Sequence, residues 1–203
     1  MILYHAPRSR STGIIWLLEE AGAHYDIQYV DIRRGDGSGR LDVANIHPHG
    51  KVPVLQDGDE TVFERIAICE YIAEKFPAAQ LAPAPGHRGR GDYLTMLSYY
   101  AGVIEPSFTS KFMNVTPPRG TAGWVVVDEV MPFINQRLST HAYIAGDQFT
   151  TPDILYAGAF ALFMNSPLME GHRSTPLQDY VARCTARPAF ARSAAKDSPP
   201  GKN

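Results

Sequence analysis

A proline inside an apolar, strand-like segment is the first feature of the sequence that points to chemistry. Pro53 interrupts the run Val52-Pro53-Val54-Leu55, where a proline costs one ladder hydrogen bond unless the strand lies at an edge or the X-Pro bond is unusual. A cis Val52-Pro53 bond would turn the backbone N–H and C=O of Val52 outward, where they could pair with an extended peptide as an added strand does. The alternative is an edge-strand proline that binds nothing.

Two charged residues, Glu64 and Arg65, come shortly after this proline at the start of a predicted helix. The first turn of a helix presents free N–H groups and the positive end of the dipole, so it can bind the carboxylate of a ligand. In the alternative interpretation, Glu64 only offsets the dipole. The pair therefore predicts either an anion-binding turn or an ordinary helix start.

The elements that position these residues alternate between strands and helices in the first part of the chain. Residues 2–5 form a predicted strand, and the apolar spacing over 14–21 marks one face of a helix. A second strand follows at 25–29, then a loop or irregular helix containing three glycines, and then a hairpin turned by Asp57-Gly58. A helix from Glu64 to about Phe76 completes the predicted order βαβαββα over residues 1–77.

The second part of the chain has helical spacing throughout. Residues 78–91, rich in Ala, Pro and Gly, are predicted to be a linker, and residues 92–203 an all-helical domain. Apolar periodicity predicts helices over 94–108, 127–138 and 154–164. Thr175-Pro176-Leu177-Gln178 reads as a capping box for a further helix, Pro188 opens a last short one, and residues 198–203 are predicted to be disordered. The fold class is therefore α/β plus all-α.

Composition and charge exclude several classes of function. A net charge of -2 and a pI near 6.4 provide no basic field for nucleic acid or anionic lipid, so we expect a small-molecule partner and neither nucleic acid nor membrane. The sequence shows no secretory signal and no apolar run approaching about 20 residues, which predicts a cytoplasmic location. Cys69 and Cys184 are far apart, which argues against a metal site, a disulfide framework and dithiol chemistry. Both are predicted to be apolar fillers on helices.

Several motifs in order resemble the glutathione S-transferase superfamily. They are Ser9-Arg10 before the helix Ile14-Ile15-Trp16-Leu17-Leu18-Glu19-Glu20, then Ile46-His47-Pro48-His49-Gly50-Lys51-Val52-Pro53-Val54-Leu55, and then Phe63-Glu64-Arg65-Ile66-Ala67-Ile68. The Ser-Arg and Trp-Leu-Leu signatures are similar to the fungal and bacterial branch that includes a yeast membrane-associated transferase. In the helical half, residues 146–153 resemble the superfamily's capping box and hydrophobic staple, in which Thr150 and Asp153 cap a buried helix reciprocally.

The resemblance implies a thioredoxin-like domain that holds glutathione as co-substrate, a helical bundle that admits a hydrophobic electrophile, and a homodimer. Val52 would pair with the cysteinyl unit across cis-Pro53. Glu64 would hold the γ-glutamyl ammonium, and the helix start at Arg65 would hold the γ-glutamyl carboxylate, although the superfamily usually has Ser at that position. Lys51 would neutralise the glycyl carboxylate. The weaker candidates for that role are Arg33, Arg34 and Arg40.

The sulfur of glutathione needs a group that lowers its pKa, because a free thiol of pKa about 8.5 is mostly protonated at neutral pH. Ser9, Arg10 and Ser11 lie at a helix start, where donors and the dipole stabilise an anion. Ser9 matches the hydroxyl of the serine-using members. Arg10 stands where other members carry a catalytic cysteine, so a mixed-disulfide mechanism lacks its nucleophile. Which of the three activates the thiol stays open, and one serine could be only an N-cap.

Two further residues and an aromatic cluster complete the candidates. Tyr4 and His5 lie on the strand before Ser9, and Tyr4 is predicted to be a packed strand residue. The second-substrate pocket is predicted to be lined by Tyr99, Tyr100, Glu105 and Phe108, with Phe112 and Met113 nearby. An aromatic stripe at this spacing is alternatively helix core.

The predicted activity is conjugation of glutathione thiolate to an electrophile, a transfer of alkyl or aryl groups. Two alternatives stay open. One is glutathione-dependent reduction of a disulfide or peroxide, which also can run without a protein cysteine. The other is a non-catalytic binding protein that retains the fold.

Overall fold

The computed structural model describes residues 1–199 and 201, and the chain forms two compact units. The first unit consists of Met1–Gln80 together with the chain from Arg187 onward, and the second of Leu81–Ala186. None of the helices within residues 1–199 and 201 has the length and apolarity that crossing a membrane requires.

A four-stranded mixed sheet forms the centre of the first unit. Its strands are β1 (Ile2–His5), β2 (Asp26–Tyr29), β3 (Val54–Asp57) and β4 (Glu60–Phe63), in the order β2-β1-β3-β4. β1 runs parallel to β2 and antiparallel to β3, and β3 and β4 form the predicted hairpin. With α1 (Thr12–Ala21) and α2 (Arg65–Lys75), this arrangement confirms the thioredoxin-like domain.

Helix α1 is buried on more than one side. Its residues from Ile14 to Leu18 are all buried, and Gly22, at φ 64°, ends it in the left-handed conformation that glycine adopts without strain. The last helix, α8 (Pro188–Ala195), packs on α1, with the Phe190 ring edge-on to Trp16 at 4.9 Å between centroids. The sequence-based boundary assigned residues 188 onward to the helical domain, but the structure places them in the first unit because they cover the Trp16 side of α1.

The predicted helix between β2 and β3 is absent from the structure, and turns occupy that segment. Gly37 and Gly39 have positive φ, and a Cβ at Gly39 would lie 2.0 Å from the Ile32 carbonyl oxygen. The Asp42 side chain accepts a hydrogen bond from the amide of Ala44 at 2.9 Å. Such local side-chain bonds and left-handed glycines compete with helix formation, so the segment turns instead.

The second unit is helical. It contains α3 (Arg90–Tyr99), a π-helical turn (Tyr100–Ile104), α4 (Glu105–Phe112), α5 (Val127–Thr140), α6 (Thr151–Phe163) and α7 (Thr175–Thr185). The segment predicted as a single helix over 94–108 therefore consists of α3, the π turn and the start of α4, which follow one another without a gap. Two short 3₁₀ helices, Pro77–Ala79 in the first unit and Pro167–Met169 in the second, complete the elements.

Helix α6 starts with the predicted capping box. Thr150 and Asp153 cap each other's backbone amide reciprocally, and both are buried. The Asp153 carboxylate also accepts from the Ile144 amide at 2.8 Å and the Tyr180 hydroxyl at 2.9 Å, and burial nevertheless raises its pKa to about 6. The predicted cap of α7 is displaced by one residue, because Ser174 rather than Thr175 accepts the capping bond, from the amide of Leu177.

The polar tail is partly placed in the first unit. The hydroxyl of Tyr29 donates to the carbonyl of Lys196 at 2.9 Å and to that of Ser198 at 3.2 Å. The prediction of disorder is therefore wrong at Ser198, because this carbonyl is tied to β2. Of the remaining tail, Pro200, Lys202 and Asn203 lie outside the described residues. Both cysteines are buried, on α2 and α7, as predicted.

Candidate active site

In the loop before β3, the backbone of Val52 is in a position to form hydrogen bonds with an extended ligand. The Val52-Pro53 bond is cis, as predicted, and the Val52 side chain is 8% exposed. It packs with Ala6 and Val30 in a small core cluster. In the described part of the chain, neither the amide nor the carbonyl of Val52 forms a hydrogen bond. The backbone of this residue therefore retains a donor and an acceptor for an extended ligand.

Glu64 precedes α2 with an unusual backbone. Its φ of 67° and ψ of 123° lie outside the regions that non-glycine residues favour, and such conformations cost about 1–3 kcal/mol and cluster at binding sites. The side chain is exposed, and its carbonyl accepts the bond from the Ile68 amide at 3.0 Å. Arg65 is the first residue of the helix. The first N–H groups of a helix have no partner within the helix, and here they follow Glu64 directly in the chain.

The basic candidates near this loop differ in their partners. Lys51 is exposed, and its carbonyl accepts from the Asn45 side chain at 3.0 Å, which holds the loop next to Val52. Arg34 donates to the carbonyl of Pro7 at 2.9 Å, and Arg40 lies 3.9 Å from Asp31 on the surface. Arg33 is exposed. Lys51 thus keeps its ammonium group beside the loop, whereas Arg34 is used to hold the segment before α1.

Two serine hydroxyls form a short chain at the start of α1. Ser9 Oγ lies 2.8 Å from Ser11 Oγ and donates to the Ala6 carbonyl at 2.7 Å. The amide of Ala6 in turn donates to Ser11 Oγ at 3.3 Å. Ser11 occupies the N-cap position of α1, yet its side chain makes no capping bond. The side chain of Ser11 therefore does not cap α1, whereas Ser9 Oγ accepts a hydrogen bond from the Ser11 amide at 3.2 Å.

The two serines differ in exposure. Ser11 is completely buried, whereas Ser9 is partly exposed and Arg10 is exposed. The backbone of Ala6 is hydrogen-bonded to both serine hydroxyls, and Ala6 also packs against Val52. The serine pair and the unpaired backbone of Val52 are therefore close to each other, with Ala6 in contact with both.

His5 continues the hydroxyl chain into the protein. The ring is completely buried at the end of β1, with Nδ1 2.7 Å from Ser11 Oγ. Its other nitrogen, Nε2, lies 2.8 Å from the carbonyl oxygen of Asp197 and 3.5 Å from its carboxylate. Burial lowers the pKa of His5, and the hydrogen bond and charge of Asp197 oppose this shift. The imidazole is therefore held neutral at neutral pH.

Asp197 also contacts the start of α1. Its carboxylate accepts from the backbone amide of Arg8 at 3.0 Å and from the hydroxyl of Thr12 at 2.5 Å. These donors flank the two serines in sequence. The sequence reasoning missed the roles of His5, Thr12 and Asp197, since His5 and Asp197 are 192 residues apart and nothing in the local pattern connects them.

The aromatic candidates for the second-substrate pocket lie in the helical unit. Tyr100 and Phe108 are buried and pack on Tyr156 and Phe160, respectively. Tyr99 packs edge-on against the ring of Phe133 at 5.3 Å and is partly exposed, like Glu105. Tyr100 and Phe108 therefore serve as core, whereas Tyr99 and Glu105 stay predicted pocket residues.

Two domain-family models match this chain and show which family it belongs to. The model of the glutathione S-transferase N-terminal domain matches residues 1–74, and that of the C-terminal domain matches residues 126–188. The chain belongs to the glutathione S-transferase superfamily. The first match contains all the residues of the proposed glutathione site, from Ser9 to Arg65.

Individual transferases match over most of the chain. Glutathione S-transferase 1 of Triticum aestivum is 27% identical over 198 residues, which cover 88% of this chain and 86% of the relative. The bacterial beta-class enzyme of Sphingomonas chungbukensis superposes with a TM-score of 0.78 at 27% identity, covering 98% of this chain and 99% of the other. A sphingomonad glutathione S-transferase complexed with glutathione has a TM-score of 0.73 at 26% identity, covering 97% and 98%. These similarities confirm the predicted fold class and the identification as a glutathione transferase.

Proposed function

We propose that this transferase conjugates the thiolate of glutathione to an electrophilic carbon of a hydrophobic small molecule. The observation that carries the proposal is the arrangement around Ala6, whose backbone bonds the hydroxyls of Ser9 and Ser11 and whose side chain packs on Val52. A peptide paired with Val52 through its cysteinyl backbone would bring its sulfur toward the start of α1. The N–H groups and dipole there stabilise an anion.

Each candidate residue then has a role in binding. Val52 pairs with the cysteinyl unit, and Glu64 binds the γ-glutamyl ammonium by charge. The first turn of α2, at Arg65, binds the adjacent carboxylate, and Lys51 neutralises the glycyl carboxylate. Two charged side chains, the first turn of α2 and a pair of backbone bonds fix the tripeptide in one direction, so that its reacting sulfur is positioned before the electrophile arrives.

Ser9 is the residue that contacts the sulfur. Its hydroxyl is partly exposed, whereas that of Ser11 is buried behind it. A hydroxyl that donates to the thiolate stabilises the charged form and lowers the thiol pKa. The thiolate then attacks the electrophilic carbon, and the leaving group or the opened bond takes the electron pair. Arg10, exposed at the same turn, adds positive charge near the sulfur.

Several broader properties belong to the same proposal. We propose a member of the yeast-type branch, located in the cytoplasm and assembled as a homodimer, with Tyr99 and Glu105 contacting the electrophile. Disulfide or peroxide reduction by glutathione is the second candidate activity. It is compatible with the burial of Cys69 and Cys184, since neither reaction then uses a protein thiol.

The test is a pH titration of the ultraviolet thiolate absorbance of bound glutathione. In the wild type we expect a thiol pKa about 1–2 units below the free value. Ser9→Ala should return the pKa toward the free value and lower kcat/KM with an aryl halide or epoxide about 10²–10³-fold. The matched control is Ser38→Ala, which removes an exposed hydroxyl bonded only to Asp36 among described residues.

Three outcomes of this titration have different meanings. An unshifted thiol pKa in the wild type, or no binding of glutathione, contradicts the transferase proposal. Loss of the shift in Arg10→Ala but not in Ser9→Ala assigns the activation to Arg10. Normal thiolate formation without conjugation of any aryl halide, epoxide or activated alkene favours the non-catalytic or reductase alternative.

A further inference from the structure

The tautomer of His5 is fixed by the atom that its Nε2 faces. The carbonyl oxygen of Asp197, at 2.8 Å, can only accept a hydrogen bond, so Nε2 carries the hydrogen. In the neutral ring Nδ1 then has a lone pair and no hydrogen. The hydroxyl of Ser11, at 2.7 Å from Nδ1, must donate its hydrogen to it.

This tautomer sets the direction of the whole hydroxyl chain. Ser11 has one hydrogen and gives it to His5, so Ser11 is the acceptor in its 2.8 Å contact with Ser9. The single hydrogen of Ser9 is thus directed inward, where Ser11 Oγ at 2.8 Å and the Ala6 carbonyl at 2.7 Å can each accept it, and the transfer uses the orientation toward Ser11. The backbone amide of Ser11 donates to Ser9 Oγ at 3.2 Å, which leaves Ser9 Oγ one further lone pair. An incoming thiol therefore meets an acceptor, and a donor chain leads from that acceptor to His5.

We propose that His5, acting through Ser11 and Ser9, receives the proton of the glutathione thiol, and that Asp197 stabilises the resulting imidazolium. The inference rests on the proposed function, since it describes how the thiolate of that reaction forms. His5 does not contact the sulfur and is a positioning residue of the hydroxyl chain.

The step balances without any further reactant. The S–H bond breaks and its proton passes to Ser9 Oγ, the former hydrogen of Ser9 passes to Ser11 Oγ, and that of Ser11 passes to His5 Nδ1. The electron pair of the S–H bond stays on sulfur. Ser9 now donates a hydrogen bond to the thiolate, and the positive charge on His5 balances the negative charge on sulfur.

The groups that face His5 suit this transfer. From β2, Tyr29 places its ring edge-on at 5.6 Å, and its hydroxyl is tied to the carbonyls of Lys196 and Ser198. Ser11, the residue before α1, donates to Nδ1 of the neutral ring at 2.7 Å. Asp197 is the charged residue in contact with the ring among the residues described, at 3.5 Å. A buried imidazolium needs such a counter-charge. In the Asp-His pair of hydrolases, a carboxylate beside the histidine likewise stabilises the imidazolium that forms.

The experiment measures thiolate formation and proton release together. Reduced glutathione is added to the protein at pH 7 in a weak buffer containing a pH indicator, and thiolate absorbance is recorded in the same sample. In the wild type we expect thiolate to form with little release of protons, because the negative charge of the bound thiolate offsets the burial that lowers the pKa of His5, and the proton stays on His5. In His5→Gln any thiolate must form at the expense of solvent, so one proton is released for each thiolate. His24→Gln is the matched control, an exposed histidine of the same unit, and should behave as the wild type.

A second variant tests the role of the carboxylate. Asp197→Asn retains the backbone carbonyl that fixes the tautomer but removes the negative charge beside the ring. Proton release per thiolate should rise toward the value of His5→Gln. This readout remains available if His5→Gln fails to fold, and unchanged proton release in Asp197→Asn counts against the inference.

The outcomes separate the two proposals. Thiolate formation in the wild type with one proton released per thiolate overturns the role of His5 and leaves the transferase proposal intact. Absence of thiolate absorbance in both the wild type and His24→Gln overturns both. A His5→Gln variant that forms thiolate without releasing protons also overturns the role of His5, since the proton then has another acceptor.

Discussion

At the residue scale, Glu64 combines a strained backbone with an exposed charge. Its φ of 67° is held by the hairpin before it and by the helix bond from Ile68 after it. A backbone that deviates from the usual regions is retained only where the surroundings over-determine it. The result is an exposed carboxylate at the start of α2, which suits the proposed binding of the γ-glutamyl group.

We therefore predict that Glu64→Gln weakens glutathione binding about 10-fold, which corresponds to about 1.4 kcal/mol. The amide keeps the size of the side chain but removes the charge that attracts the ammonium group. Isothermal titration calorimetry measures the dissociation constant. Glu60→Gln, an exposed residue of β4, is the matched control, and equal affinity in the two variants would show that Glu64 does not bind the ammonium group.

The residues proposed to hold glutathione could be predicted from the sequence, whereas those of the proposed proton pathway could not. Pro53 in an apolar run and Glu64-Arg65 at a helix start are local patterns with local physical meaning. The contact of His5 with Asp197 depends instead on the return of the chain after 192 residues, which no local pattern encodes. Ser11 could be assigned to the helix start, but its bond to His5 instead of its own helix follows from the packing of β1.

At the element scale, the docking of α8 on α1 is stabilised by charge as well as by the Trp16 and Phe190 rings. Arg187 forms a two-bond ion pair with Glu20, at 2.7 and 2.8 Å. Glu19 accepts from Arg192 at 2.8 Å and from Lys196 at 2.5 Å. Burial raises the pKa of Glu19, but the bonds from Lys196, Tyr25 and Arg192 outweigh it and lower the pKa to about 2.

This lowered pKa gives a pH-dependent prediction. A carboxylate whose folded pKa lies below its unfolded value stabilises the protein above the unfolded pKa, and this contribution is lost as the pH falls through the folded pKa. Glu19→Gln should therefore cost about 1–2 kcal/mol at pH 7, since its cationic partners are about half exposed. The difference from wild type should shrink between pH 4.5 and pH 2.

Urea unfolding at several pH values measures this difference. Glu74→Gln, on the exposed side of α2, is the control and should unfold as the wild type does. A deficit of Glu19→Gln that is constant from pH 7 to pH 2 would show that the charge of Glu19 does not carry the effect.

Among the elements, apolar periodicity predicted the strands and the long helices because each buries one face. It could not exclude a helix between β2 and β3, since the decisive features are left-handed glycines and side-chain turns such as that of Asp42. It also could not show the π turn at Tyr100–Ile104, which lies inside an otherwise regular helical pattern.

At the scale of the whole molecule, the first unit is built from two distant parts of the chain. Residues from Arg187 onward complete it, although composition alone suggested a simple succession of two domains. The helical unit is therefore an insertion in sequence between Gln80 and Arg187. This division could not be predicted because α8 has the same helical pattern whichever unit it joins.

We predict that a fragment of residues 1–80 does not unfold cooperatively, because it lacks α8, and Trp16 and its apolar neighbours on α1 are then exposed to solvent. Joining residue 80 to residues 187–203 through a flexible Gly-Ser linker should restore a cooperative transition. Trp16 is the tryptophan of the joined fragment, so its fluorescence during urea unfolding measures this. The same fragment with Phe190→Ala is the control and should be less stable by about 3 kcal/mol. Cooperative unfolding of residues 1–80 alone would contradict the prediction.

The contact of Asp197 with His5 and the start of α1 also has a consequence for the time at which the enzyme becomes active. Ribosomes add about 5–20 residues per second, so more than a hundred residues, and about 6–23 s, separate the synthesis of residue 80 from that of Asp197. The strands, the serines and Val52 are all translated early, yet the hydroxyl chain gains its orientation only when Asp197 arrives. A nascent chain that includes α8 but ends before Asp197 would lack the carboxylate that stabilises protonated His5, so any thiolate in it would form with release of a proton to solvent.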